Sequence, residues 1–117
     1  MKKILFIEDN ENLRTLYGEI FEQEGYEVLL AANGVEGLNI LEKNTVNLVV
    51  TDLRMNKMNG LEVLSCIDGE KKKIPVIIYS AYPKYMVGPV PCKPDAYITK
   101  SSNLDELKTK IKELIGP

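Results

Sequence analysis

Ile4-Leu5-Phe6-Ile7-Glu8-Asp9-Asn10 runs as four apolar residues, two acids and an asparagine. An apolar run without polar alternation suits a strand buried on both faces, and strands of that kind belong to parallel sheets. The abrupt change at Glu8 marks the point where the strand leaves the core for water. Asn10 then opens a helix as its N-cap. Leu13, Leu16, Tyr17, Ile20 and Phe21 follow at helical spacing and make one apolar stripe. Gly25 ends the helix. One buried strand followed by one amphipathic helix is the unit, and the rest of the chain repeats it.

Val28-Leu29-Leu30-Ala31 is the second run. Leu48-Val49-Val50 is the third and ends at Thr51-Asp52. Val76-Ile77-Ile78-Tyr79 is the fourth, opened by Pro75 and ended by Ser80. Ala96-Tyr97-Ile98-Thr99 is a weaker fifth that ends at Lys100. Between them, Val35, Leu38 and Leu41 mark a helix capped by Asn33. Leu61, Leu64 and Ile67 mark one entered through Asn59-Gly60. Leu104, Leu107, Ile111 and Leu114 mark the last, where Asn103 and Glu106 have the spacing of a capping box. The fourth connection differs, because Pro83, Gly88, Pro89, Pro91 and Pro94 crowd it. Proline inside a helix costs about 3 kcal/mol or more. The helix here is therefore expected to be absent or reduced to a turn or two, with Pro83 at its first turn. Strands alternating with helices imply right-handed crossovers and an α/β, doubly wound, three-layer sandwich.

The 117 residues suit a single domain spanning 1–117. A net charge of −2 argues against wholesale binding to nucleic acid or to an anionic membrane surface. The chain has no histidine, which excludes a Ser-His-Asp triad, a Cys-His pair and any histidine metal site built from this chain alone. Cys66 and Cys92 make no CxxC motif. The apolar run after Met1-Lys2-Lys3 is too short for a signal-peptide core or a membrane span. These features point to a cytoplasmic protein with reduced thiols.

In open parallel sheets, ligands bind at the carboxyl ends of the strands, where the strand order reverses. Glu8 and Asp9 end the first strand, Asp52 the third, Ser80 the fourth and Lys100 the fifth. If the first strand is central, all five converge on one rim. Three carboxylates together raise one another's pKa unless a cation compensates them. Magnesium takes such oxygen ligands. Calcium in an EF-hand is disfavoured, since Asp52-Leu53-Arg54-Met55-Asn56 breaks that pattern at its third position. Magnesium, a carboxylate, a hydroxyl and a lysine together describe phosphoryl transfer, with Asp52 as the attacking group.

These residues resemble the receiver domain of two-component response regulators, the family of the single-domain chemotaxis regulator. Ile7-Glu8-Asp9-Asn10 resembles the acidic pair after its first strand. Val50-Thr51-Asp52-Leu53-Arg54-Met55 resembles the phosphoacceptor strand. Met58-Asn59-Gly60-Leu61-Glu62 resembles the start of the third helix, Ser80-Ala81 the switch hydroxyl and its small neighbour, and Ala96-Tyr97-Ile98-Thr99-Lys100 the fifth strand. The resemblance implies a flavodoxin-like sheet of order 2-1-3-4-5. It also implies that Asp52 accepts a phosphoryl group from a sensor histidine kinase or phosphotransfer protein. Mg2+ would be held by Glu8, directly or through water, by Asp9 and Asp52, and by the backbone carbonyl of Arg54. Lys100 would pair with the phosphoryl oxygens. Ser80 and the N–H of Ala81 would bind the phosphorylated state, and Tyr97 would change rotamer as Ser80 moves. Such a module is a signalling switch, not a turnover enzyme. It binds no nucleic acid itself and enters no membrane.

The chain departs from the family pattern at three places. Ser101 follows Lys100 where the family commonly has a proline in a cis peptide, and a trans peptide is expected because a cis bond to a non-proline residue costs roughly 2.5–4 kcal/mol. Asn56 stands where a proline is frequent. The proline-rich segment from Pro83 to Pro94 replaces a helix that commonly contributes to the output face. There Tyr82, Tyr85 and Met86 either form a surface for a partner or pack the loop onto the sheet. Two other functions compete. A haloacid-dehalogenase-type phosphatase needs an Asp two residues after the nucleophile, where Arg54 stands. A flavodoxin-like binding module would take flavin on a Ser/Thr-rich loop, and Asp9-Asn10-Glu11-Asn12 has the wrong charge. A pseudo-receiver that is never phosphorylated remains the alternative.

Overall fold

A computed structural model describes residues 1–53, 60–69, 73–81, 94–101 and 104–116. Five strands and four helices occur among them: β1 (Lys3–Ile7), α1 (Glu11–Gln23), β2 (Glu27–Ala31), α2 (Gly34–Lys43), β3 (Leu48–Thr51), α3 (Gly60–Gly69), β4 (Val76–Ser80), β5 (Ala96–Thr99) and α4 (Asp105–Ile115). The strands form one all-parallel sheet of order β2-β1-β3-β4-β5. β1 therefore pairs on both sides, with Ile7 opposite Ala31 of β2 and Thr51 of β3. The strand order reverses at β1, which brings its carboxyl end beside that of β3.

Alternation along the strands divides the core in two. Ile4, Phe6, Leu48, Val50, Ile77 and Tyr79 point to the face covered by Tyr17 and Phe21 of α1 and by Leu107 and Ile111 of α4. Leu5, Ile7, Val49 and Ile78 point to the other face, under Leu41 of α2 and Val63 and Ile67 of α3. β1, β3 and β4 are buried almost throughout, as their unbroken apolar runs require. The edge strands differ: Leu30 of β2, at the edge of the sheet, is 38 % exposed.

Two caps form as expected. Asn10 Oδ1 accepts the Leu13 N–H at 3.0 Å, and Asn33 Oδ1 accepts the Glu36 N–H at 2.9 Å. Glu36 Oε1 in turn accepts the Ala32 N–H at 3.2 Å. Gly25 ends α1 with φ at 97°, a region where a side chain is strained. At α4 the expectation fails. The cap is Leu104, with no side-chain hydrogen bond, and the helix begins at Asp105, so Glu106 is not three residues past the cap. Asp105 and Glu106 in the first turn offset the bare N–H groups through the helix dipole instead. Asn103 lies outside the described residues.

Two stripe residues also lie outside the core. Leu16 is 44 % exposed and Val35 is 46 % exposed. The buried face of α1 centres on Tyr17, Gly18 and Phe21, and that of α2 on Gly34, Gly37 and Leu41. Each exposed residue sits about 100° round its helix from the neighbour that is buried. Glycine draws α2 so close to the sheet that a Cβ on Gly37 would meet Ile7 Cγ1 at 2.8 Å. The shortened helix expected between Ser80 and Ala96 falls on residues 82–93, outside the described residues. At the amino edge of the sheet, the Tyr26 hydroxyl donates to the Gly116 carbonyl at 3.0 Å and ties the end of α4 to the start of β2.

Candidate functional site

The carboxyl ends of β1, β3, β4 and β5 build the rim. Glu8 follows β1 and is only 3 % exposed. Its N–H continues the sheet to the Ala31 carbonyl at 3.0 Å. Its carboxylate accepts the Asn10 N–H at 3.1 Å, and its carbonyl accepts from the Arg14 guanidinium at 2.8 Å. Asp9, next in the chain, is exposed. Asp52 follows β3, held by its N–H on the Ile7 carbonyl at 3.2 Å. One carboxylate oxygen each from Glu8, Asp9 and Asp52 lies within 4.8 Å of the others.

Lys100 enters this group from β5. Its N–H donates to the Ser80 carbonyl at 2.8 Å, which extends the β4–β5 ladder by one bond. Its Nζ stands 2.6 Å from Asp52 Oδ2 and 2.6 Å from Glu8 Oε1. Burial pulls on this ammonium, but the hydrogen bonds to Asp52 and Glu8 outweigh it and hold its pKa well above the ordinary lysine range. Burial dominates at Glu8 and raises its carboxyl, with the Lys100 and Asn10 hydrogen bonds as partial compensation. One ammonium against three carboxylates leaves an excess of negative charge. That excess, the all-oxygen donors and their spacing fit a hard divalent cation, since opposite ligands of a magnesium octahedron are about 4.2 Å apart.

The structure places the other expected residues as follows. Ser80 is buried at the end of β4, with Ala81 exposed after it. Tyr97 is half-buried in β5 and packs on the aliphatic face of the sheet. Arg54, Tyr82, Tyr85 and Met86 lie outside the described residues. The peptide between Lys100 and Ser101 is trans, as expected.

Three residues of the site were not singled out from sequence. Arg14 carries no signal in the apolar pattern of the helix, and it donates to the Glu8 carbonyl. Tyr17 and Tyr79 read as core, and they are buried with their rings 6.0 Å apart in an edge-on pair. Together with Phe6 and Val50 they wall a small cleft that opens on Glu8, Thr51 and Asp52. Burial pushes the Tyr17 phenol up to about 12, and it raises Tyr79 as well, while the Lys100 ammonium lowers both. The available signal for Tyr79 was its place directly before Ser80.

A family model described as the response regulator receiver domain matches residues 4–112. This chain belongs to that family. The receiver is 38% identical over 81 residues to sporulation initiation phosphotransferase F of Bacillus subtilis, and it spans 65% of that relative's length. Its fold matches the response regulator TrrA of Thermotoga maritima, solved with Mg(2+)-BeF, with a TM-score of 0.91 and 39% identity over 97% of this chain and 99% of that one. It matches a complex of the histidine kinase ThkA with TrrA at a TM-score of 0.90 and 39% identity, covering 98% of this chain and 99% of that one. The acidic cluster of Glu8, Asp9 and Asp52 fits the phosphorylation site of a receiver. No helix among the described residues is long and apolar enough to cross a membrane.

Proposed function

We propose that the receiver takes a phosphoryl group on Asp52 from a phosphohistidine of a partner kinase or phosphotransfer protein. The observation that carries this reading is the placement of Lys100 Nζ 2.6 Å from Asp52, beside an acidic cluster whose oxygen donors suit a divalent cation. The kinase complex and the Mg(2+)-BeF adduct of TrrA support the same class of partner and metal for this chain. These 117 residues contain no histidine, so the donor lies outside them.

Glu8, Asp9 and Asp52, with the Arg54 carbonyl, would hold Mg2+, which screens the charge on an incoming phosphoryl group. An Asp52 carboxylate oxygen attacks phosphorus, the P–N bond to the donor imidazole breaks, and the imidazole takes up a proton. Lys100 leaves Glu8 and pairs with a phosphoryl oxygen. The Ser80 hydroxyl and the Ala81 N–H bind the others, and Tyr97 rotates into the space that Ser80 vacates. The added charge and acceptor oxygens shift the balance between two packings. The domain spans residues 1–117, works in the cytoplasm and catalyses only its own phosphoryl uptake and loss.

Intact mass after incubation with acetyl phosphate tests this. The expected result is a magnesium-dependent gain of one phosphoryl group that disappears in Asp52→Asn. Undiminished labelling of Asp52→Asn would refute the assignment. No gain with acetyl phosphate or with a cognate kinase would make the domain a pseudo-receiver.

A further inference from the structure

Asp52 and Lys100 each stand just past the end of a strand, and the two strands begin in the same way. Asn47 lies five residues before Asp52, and Asp95 lies five residues before Lys100. Asn47 Oδ1 accepts the Lys3 N–H at 2.8 Å, and the Asn47 N–H donates to the Lys3 carbonyl at 2.9 Å. Asp95 Oδ2 accepts the Val76 N–H at 2.8 Å, and the Asp95 N–H donates to the Val76 carbonyl at 2.8 Å. Each residue thus grips both backbone polar groups of one residue at the start of the neighbouring strand. The same strand pairs are tied again at the rim, where the Asp52 N–H meets the Ile7 carbonyl and the Lys100 N–H meets the Ser80 carbonyl. The two grips have unequal tasks. β3 is central and buried at every residue, so burial alone specifies its register. β5 is an edge strand in which only Ile98 is buried, so burial specifies its register weakly. A slip of one residue moves a parallel strand by about 3.3 Å. That would carry Lys100 away from the two carboxylates that it meets at 2.6 Å.

We infer that Asp95 is a positioning residue for Lys100: its grip on Val76 sets the register of β5 that brings the ammonium between Asp52 and Glu8. It acts from the far end of the strand, through the backbone of β4 and β5. The grip needs an oxygen acceptor and not a charge, since the amide oxygen of Asn47 makes the same contact on Lys3. The consequence for phosphoryl uptake rests on the function proposed above; the placement of Lys100 does not.

Competitive acetylation of the lysines in the intact folded protein, read by peptide mass spectrometry, measures that placement directly. Lys100 is expected to label more slowly than the exposed Lys2 and Lys43. Asp95→Ala removes the side-chain hydrogen bond and should raise Lys100 labelling about fivefold relative to those lysines. Asp95→Asn keeps an oxygen for the Val76 N–H and should leave labelling at the wild-type level. Asn47→Ala removes the equivalent bond at β3. It should lower thermal stability as Asp95→Ala does, yet leave Lys100 labelling unchanged. If Asp95→Ala lowers stability without raising relative Lys100 labelling, the grip is only structural and the inference is overturned. An equal rise in Asn47→Ala would overturn it too, because labelling would then follow overall stability. An equal rise in Asp95→Asn would overturn the role of the hydrogen bond. Phosphoryl uptake in Asp95→Ala should slow in step with labelling. Failure of the wild type to take up phosphate would count against the proposed function, and the labelling result would still decide the role of Asp95.

Discussion

The two faces of the sheet are built from different materials. On the α1 and α4 side the core is aromatic: Phe6 stacks 5.0 Å from Phe21 and 5.5 Å from Tyr17, and Tyr17 meets Tyr79 edge-on. On the α2 and α3 side the buried residues are aliphatic, and glycine sets the spacing of helix and sheet. The difference is one of purpose. A tyrosine can fill a core and still offer a hydroxyl at its edge. Tyr26 uses its hydroxyl on the Gly116 carbonyl at 3.0 Å. The aromatic face thus fastens chain that the sheet itself does not pair, whereas the aliphatic face fixes only a distance.

The comparison breaks most severely if the aromatic face is emptied. Phe21 is fully buried, and Phe21→Ala should cost about 3–5 kcal/mol in urea unfolding. The aliphatic face should instead be sensitive to added volume. Gly37→Ala drives a methyl into the buried Ile7 side chain and should cost about 1–3 kcal/mol, more than the roughly 1 kcal/mol that alanine gains in helix propensity.

Alkali should separate the faces without any change of volume. Tyr17 titrates near 12 in the folded chain and near 10 when unfolded. Between those values the unfolded chain gives up a proton that the folded one keeps, so stability is full below the unfolded value and falls as pH rises toward 12. Melting temperatures across that window should fall less in Tyr17→Phe than in the wild type. The fully buried members of the aliphatic cluster carry no titratable group, and variants there should not alter the slope. The smallest effect belongs to Gly18→Ala. Its new Cβ would stand 3.3 Å from Leu30 Cδ1, an exposed side chain with room to move, so chemical denaturation should show a gain of up to about 1 kcal/mol.

Much of this architecture is legible in the chain because burial on both faces erases alternation. That is why β1, β3 and β4 stand out, and why Glu8, Asp52 and Ser80 can be placed at their ends before any coordinates are known. Lys100 was legible more weakly, because it follows an edge strand, Ala96–Thr99, that is only partly buried. The direction of a helix about its axis was not, because Gly18 and Gly37 turn α1 and α2 by their lack of a side chain, which a stripe of apolar residues does not register. Leu16 and Val35 face water as a result. The cap of α4 was misplaced by one residue for want of a side-chain acceptor at Leu104. Tyr79 was hidden more deeply, since a tyrosine inside an apolar strand reads as filling, while here its ring packs edge-on against Tyr17 beside the acidic rim. The carbonyl of Arg54 and the shortened fourth helix concern residues outside those described.

The clasp between Tyr26 and Gly116 has a practical side. It keeps the last turn of α4 beside the start of β2, at the same edge of the sheet where Lys3 begins β1. Both chain ends therefore emerge on the side away from Asp52. A receiver immobilised on a sensor chip or resin through either end would present its acidic rim outward, with room for a large partner to approach.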